Sequence, residues 1–205
     1  MRTIGGVSAN DASDVTPRPG DALVIVDVQG DFVTGSLAVP GGAEVIDPLN
    51  RAAAAFAERG LPVIATRDWH PPDHVSFAEQ GGPWPVHCVA GTPGADSAEG
   101  LELPAGTAII EKADTPANDV YSPFPGTDFA DDLRARGIRR LLVGGLATDY
   151  CVKNTVIDAL AEGFEVLVLD DAIRPVEVEP GDGDRAEAAM GDAGARFTTV
   201  DDILA

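Results

Sequence analysis

Short, mainly apolar runs recur along the chain and constrain its fold more than any other feature. The first is Ala22–Val28, which reads ALVIVDV, and others follow at Pro62–Thr66, Thr107–Lys112 and Arg140–Val143. A strand that is apolar on both faces is typical of a parallel sheet covered by helices on both sides. Helix-like segments lie between several of these runs, so we expect alternating strands and helices with right-handed crossovers.

The rest of the pattern completes one α/β domain. Helices are predicted at Glu44–Arg59, Asp128–Arg136, about Asp149–Glu162 and about Asp184–Asp192, further strands at Glu165–Leu169 and Phe197–Val200, and a short tail at Asp201–Ala205. We therefore predict a single-domain three-layer sandwich over residues 21–205, with a mostly parallel sheet of about six strands and helices on both faces. Residues 1–20 are polar and contain Pro17 and Pro19, so a flexible N-terminal extension is expected there.

Composition restricts the partners and the compartment. The formal charge of −20 argues against nucleic acid and anionic membranes, because a net-negative surface repels phosphates. The acidic surface fits either adaptation to high salt or simply an Asp-rich composition. The two cysteines, Cys88 and Cys151, form no disulfide framework, and no run approaches the roughly 18 apolar residues of a membrane span. We expect a soluble cytoplasmic protein with a small-molecule ligand, and leave open whether it forms a homo-oligomer.

One cysteine stands where a nucleophile is expected. In Gly144–Lys153 a strand runs into two glycines and a short turn, and Cys151 follows at the predicted start of a helix. The positive end of a helix dipole lowers the pKa of a thiol, which makes it reactive. The alternative is a small buried cysteine, which is common in protein cores.

Other chemically active side chains follow the other predicted strands. Asp27, Asp68 and Lys112 stand at or just beyond strand ends, where open α/β sheets bind their ligands. A carboxylate and an ammonium can serve a thiol as base and as counter-ion, so Asp27, Lys112 and Cys151 form a candidate set. Taken singly, Asp27 is also compatible with capping a turn and Lys112 with an exposed position.

A candidate metal site lies in the long connection rich in Pro and Gly. Asp68 and His70 alternate along an extended segment, and His87 can return as a third ligand. One carboxylate and two imidazoles leave coordination positions open for a substrate. Alternatively, the histidines satisfy polar groups of the loop. We interpret His74 and Cys88 as structural, and Glu79 as at most an outer-shell partner.

Six motifs in order make a more specific pattern. They are DVQGDF at 27–32, RDWHPPDHVSF at 67–77, WPVHC at 84–88, Lys112, YSPF at 121–124 and GLATDYCV at 145–152. Over roughly residues 21–197 the chain thereby resembles the nicotinamidases of the isochorismatase-like cysteine hydrolase superfamily. The metal-site motifs separate it from isochorismatases and from N-carbamoyl amidases.

The resemblance implies roles for the candidate residues. It implies a catalytic triad of Asp27, Lys112 and Cys151, and a divalent metal, commonly zinc but also iron or manganese, on Asp68, His70 and His87. It also implies a cis peptide between Leu146 and Ala147, with an oxyanion hole formed by the backbone N–H groups of Ala147 and Cys151.

The implied activity is hydrolysis of nicotinamide to nicotinate and ammonia, a step of NAD salvage. The implied mechanism has a thioester on Cys151 and a pyridine nitrogen bound to the metal. Pyrazinamide should be cleaved as well, because it has the same shape and a ring nitrogen. Phe32, Trp84 and Tyr121 are expected to wall the ring, although ordinary core packing accounts for them equally well. The alternatives are a related amidohydrolase acting on another small amide and a non-enzymatic thiol redox module.

Overall fold

The apolar runs pair side by side in one sheet of six parallel strands in the computed structural model, which describes residues 15–205. The strands are β1 (Asp21–Val26), β2 (Val63–Asp68), β3 (Ala108–Lys112), β4 (Arg140–Leu146), β5 (Glu165–Arg174) and β6 (Arg196–Thr198). Their spatial order is β3-β2-β1-β4-β5-β6, with every neighbouring pair parallel. The predicted α/β fold with a parallel sheet is confirmed.

Helices cover both faces of this sheet. In the described part of the chain they are α1 (Gly30–Val33), α2 (Ile46–Glu58), α3 (Phe129–Ala135), α4 (Lys153–Ala161), α5 (Asp182–Ala193) and α6 (Val200–Leu204). None of the helices within residues 15–205 has the length and apolar character needed to cross a membrane.

The central strand β1 shows why its run is apolar throughout. Leu23 and Ile25 belong to the core that includes Leu49 and Phe56 of α2, whereas the alternate residues of β1 belong to the core on the other face. That second core includes Leu133 of α3, Val156 of α4 and Met190 of α5. Each face of β1 is therefore buried, as expected for a strand between two helical layers.

Three segments differ from the sequence prediction. β5 continues through the polar residues to Arg174, because the register shifts between Val143 and Gly145 of β4, with the extra residues in β5, and pairing then resumes with Ile173 and Arg174. The expected tail at Asp201–Ala205 is largely helix α6, whose start is capped by Thr199 and Asp202. Helix α1 is short and was not predicted.

Residues 1–14 of the expected N-terminal extension lie outside the described residues. The last residues of that segment contact the domain: Val15 packs against the core, and Thr16 accepts a hydrogen bond from Arg140 through its carbonyl oxygen at 3.0 Å. Arg140 is thereby linked to the segment that precedes β1.

A buried ion pair joins the N-terminal ends of β1 and β4. The guanidinium of Arg140 donates to both carboxylate oxygens of Asp21, at 3.0 and 2.6 Å, and both side chains are about 97% buried or more. Removing one partner of such a pair leaves the other charge buried and uncompensated.

We expect Arg140→Met to lower the free energy of unfolding by about 3–5 kcal/mol in urea denaturation, because Asp21 then loses its buried counter-ion. Arg51→Met is the matched control, since the Arg51–Asp201 pair is exposed to solvent and its loss should change stability far less. Equal losses in the two variants would contradict the importance assigned to the buried pair.

Candidate active site

The carboxyl ends of β1 to β4 bring the predicted triad and the first metal ligand together. β1 and β2 pair up to Val26 and Thr66, and β2 and β3 pair up to Asp68 and Lys112. Asp27, Asp68 and Lys112 consequently emerge at one edge of the sheet, and the turn after β4 adds Cys151. The structure thus joins the four strand ends that the sequence singled out.

Lys112 lies at the centre of this cluster. Its ammonium is 2.9 Å from Asp27 Oδ2, 3.5 Å from Cys151 Sγ and in direct contact with Asp68 Oδ1. All of these side chains are buried. Burial alone lowers the pKa of Lys112, but the two carboxylates outweigh it and raise that pKa well above its usual range, so the lysine stays charged.

Asp27 is held in an unusual backbone conformation directly after β1. Its φ is 48°, in the left-handed region that residues with a side chain rarely adopt. The Thr66 hydroxyl donates to Asp27 Oδ1 at 2.6 Å, which fixes the carboxylate. Burial raises the pKa of Asp27, with Lys112 opposing, so this carboxylate is a stronger proton acceptor than an exposed one. Sequence reasoning missed Thr66 because a threonine inside a strand has no distinctive pattern.

The sequence suggests that Cys151 lies at the start of an α-helix, but the structure places it elsewhere. It sits within a π-helical turn, Thr148–Val152, that precedes α4. Burial raises the pKa of its thiol well above the usual value, and Lys112 only partly offsets this. The expectation of a lowered pKa is therefore wrong, and the resting side chain is a thiol that needs a base.

The end of β4 approaches β1 very closely. A Cβ on Gly145 would lie 2.1 Å from the carbonyl oxygen of Val26, and the φ of Gly145 is +128°. Glycine is required there on both counts. The peptide between Leu146 and Ala147 is cis, as the resemblance implied. The following turn wraps around the carbonyl of Ala147, which accepts from the N–H groups of Tyr150 and Val152 at 3.1 Å each.

The three predicted metal ligands converge beside the triad. Each of Asp68, His70 and His87 offers one ligand atom, and these atoms lie within 4.8 Å of one another. His70 Nδ1 contacts the carbonyl oxygen of Ala113 at 3.0 Å, and His87 Nδ1 contacts that of Pro85 at 2.7 Å. Since a carbonyl only accepts, each Nδ1 carries a proton, which leaves Nε2 as the ring nitrogen available to a metal.

The protonation of these groups also suits a divalent cation. Burial lowers the pKa of His87, which keeps its imidazole neutral. Burial opposes ionisation of Asp68, but the positive charge of Lys112 outweighs it and holds the pKa of Asp68 well below its usual range. His70 Nε2 lies 3.6 Å from Asp68 Oδ2, too far for a hydrogen bond. One carboxylate and two imidazoles fit a zinc-type ion with open positions.

The spare candidates lie around this site rather than in it. The ring of His74 stacks on His70 with centroids 4.1 Å apart, and its nitrogens contact Ser76 Oγ and the carbonyl of Asn118. Cys88 is fully buried, and Glu79 is exposed. His74 and Cys88 therefore have the structural surroundings that the sequence interpretation gave them.

A cavity of about 450 Å³ borders both the Cys151 thiol and the predicted metal ligands. Phe32, Trp84 and Tyr121, expected at its walls, all line it together with Cys151 and the three predicted metal ligands. Trp84 Nε1 donates to the Tyr121 hydroxyl at 3.2 Å, which joins two loops across the cavity. Sequence reasoning missed Leu37, Tyr150 and Val176, whose place in the wall depends on how separate loops meet.

Comparison with known proteins yields a consistent set of relatives. The isochorismatase domain model matches residues 21–202. A nicotinamidase of Escherichia coli strain K12 is 41% identical, covering 90% of this chain and 97% of its own length. The crystal structure of a pyrazinamidase of Pyrococcus horikoshii in complex with zinc is 45% identical with a TM-score of 0.84, and covers 88% of this chain and 99% of that one.

A second structure adds a ligand. PnC1 from L. infantum, solved in complex with nicotinate, is 36% identical with a TM-score of 0.84 and covers 91% of this chain and 96% of that one. The family model spans almost the whole described domain, and the relatives agree over nearly their full lengths. The family that the motifs predicted is confirmed: the chain belongs to the isochorismatase family.

Proposed function

We propose that this protein is a nicotinamidase, a cysteine amidohydrolase that converts nicotinamide to nicotinate and ammonia. One observation carries the proposal: the Cys151 thiol, beside Asp27 and Lys112, opens into the same cavity as a three-residue metal site. A thiol alone serves many reactions, whereas a thiol next to an open metal site suits an amide attached to a metal-binding ring. The names and bound ligands of the relatives support the same substrate class.

The substrate ring is held at the metal end of the cavity. Asp68, His70 and His87 hold one divalent ion, for which zinc is the first choice because the Pyrococcus relative contains it. When bound, that ion offers open coordination positions to the pyridine nitrogen. Phe32, Trp84 and Tyr121 flank the flat ring and exclude water from it. The carboxamide then points toward Cys151.

Attack begins with a proton transfer inside the triad. Asp27 takes the thiol proton of Cys151, and Lys112 stabilises the thiolate from 3.5 Å. The sulfur forms a bond to the amide carbon, and the carbonyl electron pair moves onto oxygen. The backbone N–H groups of Ala147 and Cys151 are proposed to receive this oxyanion; one such donor typically contributes about 2.7–4 kcal/mol to transition-state stabilisation.

The same carboxyl group completes the reaction. Asp27 returns its proton to the amide nitrogen, the C–N bond breaks and ammonia leaves, so that a thioester remains on Cys151. Asp27, again ionised, accepts a proton from water as the water attacks the thioester. The C–S bond then breaks, nicotinate leaves, and Cys151 recovers its proton. The raised pKa of Asp27 suits this repeated exchange.

The test is a nicotinamide-to-nicotinate assay on the purified protein, with metal content measured on the same sample. We expect one divalent ion per chain and stoichiometric release of ammonia. Pyrazinamide should be cleaved as well, because it keeps the flat ring, the ring nitrogen and the carboxamide. Benzamide, which lacks the ring nitrogen, is the matched control and should be a much poorer substrate. Equal rates on benzamide and nicotinamide would contradict the role assigned to the metal end of the cavity.

A related amidohydrolase acting on another small amide is the second candidate. Ureido and carbamoyl compounds assayed beside nicotinamide distinguish the two, since the second candidate predicts ammonia release from those compounds instead. A thiol redox module predicts oxidation of Cys151 without turnover.

Cys88 and Cys151 are both free thiols, which supports a reducing, cytoplasmic setting for the proposed NAD salvage reaction.

A further inference from the structure

Two side chains in the turn after β1 take no part in the proposed mechanism, yet both bind the backbone of segments that carry metal ligands. These are Gln29 and Asp31. We propose that they are positioning residues for the ligand set Asp68, His70 and His87, acting through the backbone of residues 68 and 88. The inference rests on the proposed metal site and extends it to residues that never contact the ion.

Gln29 binds both backbone groups of Asp68. Its side-chain oxygen accepts from Asp68 N at 2.9 Å, and its side-chain nitrogen donates to Asp68 O at 2.8 Å and to Ala95 O at 2.9 Å. Gln29 is buried, with 2% of its surface exposed. The backbone register between β1 and β2 ends at Val26 and Thr66. Beyond it, the side-chain amide of Gln29 takes the place of a β1 peptide group beside Asp68. The metal ligand Asp68 is thereby paired on this side by Gln29 and on the other by β3.

Asp31 holds the segment that carries His87. Its Oδ2 accepts from the N–H of Cys88 at 2.8 Å, and Cys88 adopts a left-handed conformation with φ 45°. The carbonyl of the same Cys88 accepts from the N–H of His70 at 3.0 Å. Cys88 is therefore connected to both histidine ligands: it hydrogen-bonds to the backbone of His70, and it follows His87 directly in the chain.

The surroundings of Asp31 leave its carboxylate little freedom. A Cβ on Gly35 or on Gly94 would lie 2.2 or 2.1 Å from one of its oxygens. Such close backbone approach on two sides fixes where the carboxylate points.

Because the metal ligands come from two separate segments, their spacing depends on what connects those segments. The turn Gln29–Asp31 contacts both, and hydrogen bonds that orient the ligands in this way strengthen metal binding.

The test measures Zn²⁺ affinity by chelator competition in Gln29→Met and Asp31→Ala, each in the full chain. We expect each substitution to weaken Zn²⁺ binding by about 10–100-fold, the range for lost outer-shell partners. Asp31→Asn should recover most of the affinity, because its amide oxygen can still accept from Cys88 N. The visible absorption spectrum of the Co²⁺-substituted protein, which reports ligand geometry, should change in the two disruptive variants.

Asn50→Ala is the matched control. The Asn50 side chain also bridges two backbone groups, donating to Gly100 O and accepting from Glu102 N at 2.8 Å each, but in a segment without ligands. It should lower the melting temperature without changing Zn²⁺ affinity or the Co²⁺ spectrum. Wild-type affinity in Gln29→Met and Asp31→Ala, or an equal loss in Asn50→Ala, would overturn the inference alone. A wild-type chain that binds no Zn²⁺ would instead overturn the proposed metal site.

Discussion

Cys151→Ala should abolish ammonia release from nicotinamide, with a fall of at least about 10⁴-fold in kcat, as is typical when a nucleophile is removed. The substitution removes only the sulfur that attacks the amide carbon. Asp27 and Lys112 remain 2.9 Å apart, and the ligands Asp68, His70 and His87 do not include the thiol. The variant should therefore still bind one metal ion per chain and still bind nicotinamide.

Three measurements make this result informative. Metal content and the melting temperature show that the variant is folded and loaded, and mass spectrometry of the wild-type enzyme quenched during turnover should show an acyl adduct that the variant lacks. Cys151→Ser should be nearly as inactive, because a hydroxyl is harder for Asp27 to deprotonate than a thiol. Activity above about one hundredth of the wild-type rate in Cys151→Ala would reject the nucleophile.

His70→Ala and His87→Ala should each remove metal binding and substrate affinity together. Each supplies one of only two imidazoles in the site, and the remaining carboxylate and imidazole make a weak pair. The loss of metal affinity should exceed the roughly 10–100-fold that removal of an outer-shell partner causes. The KM for nicotinamide should rise in parallel, because the ring nitrogen loses its binding partner.

The control for this pair is Glu79→Gln. Glu79 lies on the same long loop, but its side chain is exposed, so its metal content and KM should match the wild type. Metal analysis and steady-state kinetics on the same samples separate the outcomes. A histidine variant that loses its metal but keeps the wild-type KM would disprove the link between the metal and the ring.

The sequence predicts the central strands β1 and β4 well because they are buried on both faces. Ala22–Val26 and Leu141–Val143 are apolar whichever face a residue points to, so these strands are visible without knowing the fold. The second half of β5 was missed because Asp170 and Asp171 interrupt the apolar pattern. Asp171 instead accepts from the N–H of Val200, a partner 29 residues away. A contact of that range leaves no local signal.

The site residues at the strand ends could also be predicted from the pattern of apolar strands. Asp27, Asp68, Lys112 and Cys151 stand out because polar residues follow apolar strands. The residues that hold them in place could not be predicted, because Gln29 and Thr66 act through contacts with residues far away in the sequence. The raised pKa of Cys151 was also beyond reach, because it comes chiefly from burial, with Lys112 opposing and the two neighbouring carboxylates adding to it, and none of these contacts is visible in the sequence.

The placement of Lys112 has a consequence for redesign. Its single positive charge is shared between Asp27, which we assign to proton transfer, and Asp68, which we assign to the metal. Replacing Asp68 to obtain a metal-free enzyme would therefore also change the charge balance around the nucleophile. Its effect on activity should not add to that of a substitution at Asp27, because both carboxylates share one ammonium.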